Sequence, residues 1–392
     1  MKPAPNYRDG ALARRLAAAI AARALPDRTY NIMEFCGGHT HVISAFGLAD
    51  LLPPQVRLVH GPGCPVCVLP IGRLDQAIAI ARHPEVIFCS FGDMMRVPAS
   101  DRGSLLKAKA QGADIRMVYS SLDALALARA NPDRQVVFFA IGFETTTPPT
   151  AAAVLTAARK GLRNFSVFCN HVLTPAAIEA IFASEAAQRG ELRVDGVIGP
   201  GHVTTITGIS AYRAFSESHH CPVVISGFEP IDLLQSALML IDQLNAQRAE
   251  IENQYARSAR PEGNRTAQAM MEQVFEVRDS FDWRGLGEIP HSALRLADAF
   301  AAFDAERRFP TEYRRIADHP ACSCPDILRG VKKPTDCRIF GTGCTPESPV
   351  GACMVSPEGA CAAYWQARGR SGGGMAGTQR ASAVGSLARA AR

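Results

Sequence analysis

The sequence has little net charge, few aromatic residues and no long apolar run. Its 42 basic and 37 acidic side chains leave a formal charge of +5 over 392 residues, part of it in an Arg-bearing tail. That balance points to neither nucleic acid nor a membrane surface as a partner. The longest strongly apolar run, residues 136–143, is well under half of what a bilayer-spanning helix requires. The Ala-rich stretch 11–25 is interrupted by Arg14, Arg15 and Arg23, which spoils the apolar centre of a secretory signal and predicts an amphipathic surface helix instead. A cytoplasmic location is therefore expected. No G-x-G-x-x-G follows a predicted strand, so nicotinamide chemistry is not expected, and the lack of C-x-x-x-C-x-x-C argues against the familiar radical-SAM pattern.

Cysteine is what the chain has in excess: 12 in all, with six of them between Cys322 and Cys361. The length allows two or three domains with an ample core, which rules out a small disulfide-held scaffold. Hydrophobic residues at 47% and charged residues at 20% rule out disorder or a fibrous architecture for most of the chain. In a reducing compartment such a cluster signals metal or redox chemistry more often than structural disulfides.

Seven short β-branched or aromatic runs, VRLVH (56–60), VIFCSF (86–91), IRMVYS (115–120), VVFFAIGF (136–143), FSVFCN (165–170), VDGVIG (194–199) and PVVISGF (222–228), alternate with Ala/Leu-rich helical stretches. Apolar runs of this kind indicate parallel strands buried on both faces, and their number predicts two doubly wound, Rossmann-like α/β domains, followed by a small cysteine-rich module. The division expected is an N-terminal segment at 1–55, α/β domains at 56–145 and 146–255, a mostly helical region at 256–365 ending in the cysteine-rich module, and a disordered tail at 366–392. Within it, residues 238–255 read as a helix and 256–265 as a loop. The turns GPG and GFE each occur twice, before Cys64 and His202 and at 142–144 and 227–229. Ligands of open α/β sheets sit beyond the carboxyl ends of strands, where Cys64, Cys67, Asp93, Glu144, His171, His202 and Glu229 all fall.

Four constellations carry chemistry. In EFCGGHTH (34–41), Cys36 and His39 flank two glycines, so a thiolate and an imidazole can share one metal ion or the imidazole can activate the thiol. The bland alternative is a buried cysteine beside a glycine turn. In HGPGCPVCV (60–68), Cys64 and Cys67 form a C-x-x-C at a strand-to-helix turn, which favours a redox-active dithiol over half of a zinc site. In IGFETTTPPT (141–150), Glu144 with Thr145 and Thr146 lies at a helix start able to hold an anion, although plain N-capping accounts for at least one threonine. His171, at the end of the next strand, and His202, in GPGHVTT, are possible partners, although each alone is more often an ordinary core or capping histidine. Finally, Cys322, Cys324, Cys337, Cys344, Cys353 and Cys361 exceed the four ligands of one zinc or one [4Fe–4S] cluster. Four ligands plus a dithiol fit the count, and zinc with two spare cysteines stays open. Cys89, Cys169 and Cys221 lie in or beside apolar runs and read as small core residues.

Together EFCGGHTH, GPGCPVC, GFETTTP, PGHV, GFEPIDLL and CSCPDILRG…DCRIFGTGCTPESPVGACMVSPEGACAAYW resemble, in order from 31 to 365, the HypD family of [NiFe]-hydrogenase maturation factors. The resemblance implies a scaffold and redox partner for assembly of the Fe(CN)2CO unit of the hydrogenase active site, working with a HypC-type chaperone and receiving cyanide from a HypE-type donor. It implies that Cys36 holds the iron, with His39 beside it as a possible ligand, and that Cys64 and Cys67 are the nearby dithiol. Donors of the kind Gly37, Gly38, Thr145 and Thr146 offer suit cyanide nitrogens. By analogy with ferredoxin–thioredoxin reductase, Cys322, Cys337, Cys344 and Cys361 would hold a [4Fe–4S] cluster and Cys324 with Cys353 an adjacent dithiol. The alternatives are a cluster-dependent thiol–disulfide oxidoreductase and a zinc-stabilised binding module.

Overall fold

The computed structural model describes residues 6–371. Nine strands build its two main sheets: β1 (Tyr30–Glu34), β2 (Val56–His60), β3 (Val86–Ser90), β4 (Ile115–Met117), β5 (Gln135–Gly142), β6 (Phe165–His171), β7 (Gly196–Pro200), β8 (Val223–Ser226) and β9 (Ile251–Asn253). One sheet has the order β2-β1-β7-β8-β9 and the other β4-β3-β5-β6. Every pairing within them is parallel. Parallel neighbours need crossover connections, and the helices between strands supply them while covering both sheet faces. Coverage of both faces is why β3 and β6 are buried at every position, their few polar residues included.

All seven anticipated runs form strands. The sheets, however, do not follow the 56–145 and 146–255 division. β1 and β2 join β7, β8 and β9, while β3 to β6 form a second sheet inserted between them in sequence. The cause is β1, the run YNIME, which ends in a buried glutamate and so does not stand out as an apolar run. It lies in the middle of the larger sheet, paired on both sides.

The expected helix at 238–255 is instead Pro230–Asn245, started by proline in its first turn behind a capping box of Glu229 and Asp232. Gln247 then turns the chain at φ 53°, and residues 251–253 become the edge strand β9. The region expected to be mostly helical contains the helix Arg265–Val274 and then two small antiparallel pairs, Phe275–Val277 with Leu294–Leu296 and Ser280–Trp283 with Gly287–Pro290. Trp283 is buried and donates its indole N–H to Ser292 Oγ at 2.8 Å. The helix Ala360–Ser371 continues past the expected start of the tail, and the rest of 366–392 lies outside the described residues.

The cysteine-rich module packs into the main core. Cys64 and Cys67 share one apolar cluster with Cys324, Cys337, Cys344, Cys353 and Cys361 and with Phe139 and Phe168 of the four-stranded sheet. An ionic triad, buried at Arg73 and part-buried at Arg278 and Glu306, fastens the connecting region to that sheet. Arg73 reaches Glu306 at 2.8 Å, Arg278 pairs with the same carboxylate, and the Arg73 guanidinium lies 4.2 Å over the Phe168 ring. The two arginines hold the Glu306 carboxyl down to about 2 against the opposing effect of burial.

Candidate functional site

In both sheets the chain reverses its direction of progress across the sheet once. In the five-stranded sheet this happens between β1 and β7, and in the four-stranded sheet between β3 and β5. The carboxyl ends of strands at such a switch point open a crevice, because the following helices leave in opposite directions. Cys36 follows β1, His202 follows β7, Asp93 follows β3 and Glu144 follows β5. Like-charge coupling spans these ends: burial raises the Tyr212 hydroxyl with Glu144 and Cys36 adding to the rise, and burial raises Glu358 with Asp93 adding to it, while Glu358 in turn adds to the rise at Cys36.

Cys36 is the N-cap of the helix Gly37–Ala45, in extended conformation, and its side chain makes no capping hydrogen bond. Serine or aspartate at this position would spend its side chain on the helix N–H groups; the thiol stays available. Burial raises its pKa well above the ordinary value, with Glu358 adding to the rise and the backbone N–H groups of Gly38 and His39 opposing it. The two glycines are required by close approach. A Cβ on Gly37 would lie 2.4 Å from Glu358 Cβ, and one on Gly38 2.8 Å from the Phe228 ring. The Gly37 N–H is already taken by the Gly63 carbonyl at 2.9 Å, so it is not a free donor for a cyanide nitrogen.

His39 is fully buried. Its Nε2 lies 3.3 Å from the Ser226 carbonyl and its Nδ1 has no hydrogen-bond partner. Burial lowers its pKa, so the ring is neutral, and with Nε2 donating to Ser226 the lone pair falls on Nδ1. Phe228 stacks on both histidines, at 4.7 Å from His39 and 3.6 Å from the exposed His202. Three strand ends thus meet in one aromatic stack.

Cys64 and Cys67 are joined as a disulfide at the start of the short helix Pro65–Val68. Gly63 just before them lies on the Cys36 backbone, so the two motifs are in direct contact. Glu144 is buried and accepts from the Thr174 backbone N–H and hydroxyl, each at 2.9 Å, which ties it to the next helix. Burial pushes its pKa up to about 7. Thr146 donates its hydroxyl to the Phe143 carbonyl at 3.1 Å and so serves the turn, while Thr145 beside it is half-buried. His171 binds Thr150 Oγ1 at 2.9 Å, and burial lowers its pKa to about 4, the behaviour of a core histidine.

The six C-terminal cysteines line one tight pocket together with Ile327, Phe340 and Met354. Cys324 and Cys353 have their sulfurs 2.6 Å apart, and the Val350 N–H points at Cys344 Sγ at 3.3 Å. Burial, followed by the neighbouring thiols, raises Cys361. Among the described residues no three metal-ligating side chains close on a single ion position. The donor set is six thiols around a volume, with no imidazole or carboxylate among them, and soft donors of this kind suit an iron–sulfur cluster. Cys89, Cys169 and Cys221 are buried core residues.

Five residues of this site were not assigned roles from the sequence: Glu34, His60, Phe228, Glu358 and Tyr364. For Glu34 and His60 the signal was a titratable residue closing an otherwise apolar strand. For Phe228, Glu358 and Tyr364 no local pattern exists, because their role comes from which chain segment they meet.

The HypD family model, described as the hydrogenase formation hypA family, matches residues 11–368. The hydrogenase expression/formation protein HupD of Azotobacter chroococcum mcd 1 is 62% identical over 370 residues, 94% of this chain and 97% of that protein. The hydrogenase maturation factor HypD of Azotobacter vinelandii is 61% identical over 370 residues, with 94% and 97% covered. The hydrogenase maturation factor HypD of Escherichia coli (strain K12) is 48% identical over 342 residues, covering 87% and 90%.

Proposed function

The chain belongs to the HypD family of hydrogenase maturation factors, and from that premise we propose that it is a cytoplasmic scaffold and redox partner on which the Fe(CN)2CO unit of a [NiFe]-hydrogenase is assembled. The observation that carries the reading is Cys36. Its thiol is at a switch-point strand end, free of any capping bond, and in contact through Gly63 with the Cys64–Cys67 disulfide. A low-valent iron carrying cyanide takes a soft thiolate donor. Cys36 supplies one sulfur, and a cysteine of a HypC-type chaperone supplies the second. His39 offers a neutral nitrogen beside it, whose unpartnered Nδ1 supports a transient contact with the iron. Cyanide arrives from a HypE-type donor, and Glu144, with a carboxyl near half-ionisation at neutral pH, is placed to exchange protons within the cleft.

Cys322, Cys337, Cys344 and Cys361 would hold a [4Fe–4S] cluster, with Cys324 and Cys353 as the neighbouring dithiol. A bound cluster would supply single electrons. The shared apolar core that joins these thiols to Cys64 and Cys67 supports an exchange of reducing equivalents between the two pairs. That same core favours a second reading, a thiol–disulfide oxidoreductase, which predicts reduction of a protein disulfide without any carbonyl-iron complex.

The deciding experiment is infrared spectroscopy of the anaerobically purified chain with its HypC-type partner. Bands of iron-bound CN and CO are expected, and Cys36→Ala should abolish them. Bands that persist in the variant refute the assigned ligand. Iron and sulfide analysis should give about four of each per chain for the module, whereas one zinc and no visible absorption would refute the cluster.

A further inference from the structure

Glu34 closes β1 in the centre of the larger sheet and is completely buried. Its neighbours in register are His60 on β2 and Ile198 on β7. A carboxylate in such a place is costly unless donors surround it. Three do. The Cys36 backbone N–H donates to Oε2 at 2.9 Å, His60 Nδ1 lies 2.8 Å from Oε1, and the Thr40 hydroxyl donates to Oε1. His60 Nε2 in turn lies 3.2 Å from the Tyr364 hydroxyl, and the Tyr364 ring meets the imidazole edge-on. Tyr364 belongs to the helix Ala360–Ser371, which also carries Cys361.

The carboxylate thereby grips both ends of the first turn after β1, at Cys36 and at Thr40. It does the anchoring that a capping side chain at position 36 would otherwise do. The Cys36 thiol is spared that task, yet the residue is fixed. A wholly apolar residue would fill a central strand at less cost, so the retained charge calls for a purpose other than packing.

We infer that Glu34 is a positioning residue for Cys36, and that His60 and Tyr364 extend its hold to the C-terminal helix, so that the seating of the cysteine-rich module sets where the Cys36 sulfur stands. The inference rests on the proposed role of Cys36, but it is tested without the Fe(CN)2CO unit. Glu34→Gln removes the charge and replaces one acceptor oxygen by an amide N–H₂: at the Oε2 position it loses the Cys36 N–H bond, and at the Oε1 position it makes His60 Nδ1 and the Thr40 hydroxyl accept where they now donate, so each charge-assisted bond is weakened.

In the full-length chain as purified anaerobically, without its HypC-type partner or a cyanide source, the iodoacetamide alkylation rate of Cys36 is followed by peptide mass spectrometry. Cys221, buried in a different cluster, serves as the control for global opening. Glu34→Gln should change the Cys36 rate by about fivefold or more, the effect of one hydrogen bond lost or weakened, while Cys221 stays as slow as in the parent. Tyr364→Phe removes a single hydroxyl and keeps the ring, so it should shift the Cys36 rate in the same direction by a smaller factor. It also decides the matter if Glu34→Gln does not fold. Cys36 rates unchanged from the parent in the folded variants, or Cys36 and Cys221 rising together, overturn the inference. Loss of the proposed iron role would appear separately, as infrared bands surviving in Cys36→Ala.

Discussion

Gly63→Ala is the smallest change that separates the two motifs of the site. A Cβ at position 63 would lie 2.5 Å from the Cys36 backbone nitrogen, 2.6 Å from its Cα and 2.7 Å from its carbonyl carbon. Favourable non-bonded carbon contacts begin near ~3.5 Å, so the two segments must part by roughly an ångström. The obstacle is backbone on both sides and cannot be rotated away. Overpacking of this kind costs about 1–3 kcal/mol, and the Gly37 N–H to Gly63 carbonyl bond, 2.9 Å long, is stretched with it for about another 1 kcal/mol. Against this, alanine restricts the unfolded chain and returns about 0.4–1 kcal/mol. The net expectation is a loss of roughly 1–3 kcal/mol, read as a lower urea midpoint at unchanged slope. Gly369→Ala, at an exposed helical position with nothing within 4 Å of the new methyl, should be neutral or slightly stabilising in the same assay. An unfolding midpoint for Gly63→Ala equal to the parent's, with the infrared bands intact, would show that the close approach of the two motifs is not required.

Glu144 predicts a pH dependence. A carboxyl raised from 4.5 to about 7 holds its proton more tightly when folded, so its contribution is complete below the lower value and disappears as pH rises through about 7. The shift corresponds to roughly 3 kcal/mol at most. Urea midpoints should fall between pH 5 and pH 8 in the parent and fall less in Glu144→Gln; equal slopes in the two proteins would refute the assignment. Glu306→Ala leaves the buried Arg73 and the part-buried Arg278 without their anion, though Arg73 keeps Asn170, Gln76 and the Cys169 carbonyl, and should cost about 2–3 kcal/mol. Asp242→Ala, which removes an exposed partner of Arg23, should cost less than about 1 kcal/mol by the same measurement.

The strands of both sheets were legible because burial on two faces favours apolar runs, as in VVFFAI at 136–141. β1 was not, because Glu34 breaks the pattern and the donors that make it tolerable come from residues 36, 40 and 60. Strand order was equally hidden: nothing local to residues 56–60 or 196–200 says that both flank β1. At the site, the reactive residues Cys36, His39, Cys64 and Cys67 were readable from glycine-rich spacing. The segments that hold them were not, since Gly37 meets Glu358 and Gly38 meets Phe228 across long stretches of chain. The same limit explains the misplaced domain boundary and the helix expected at 238–255, where the left-handed turn at Gln247 has no glycine to announce it.

The interleaved order of strands also bears on synthesis. As the chain leaves the ribosome, β1 and β2 emerge first but cannot complete a sheet until β7 and β8 follow, and meanwhile the compact unit of β3 to β6 can close on its own. The residues that seal Cys36, Glu358 above Gly37 and Tyr364 behind His60, come later still. An unfinished chain therefore exposes a reactive thiol and an unpaired strand while lacking the pocket around them. Closure of the pocket around Cys36 therefore waits for the helix Ala360–Ser371, so the order of synthesis sets the order in which the site is completed.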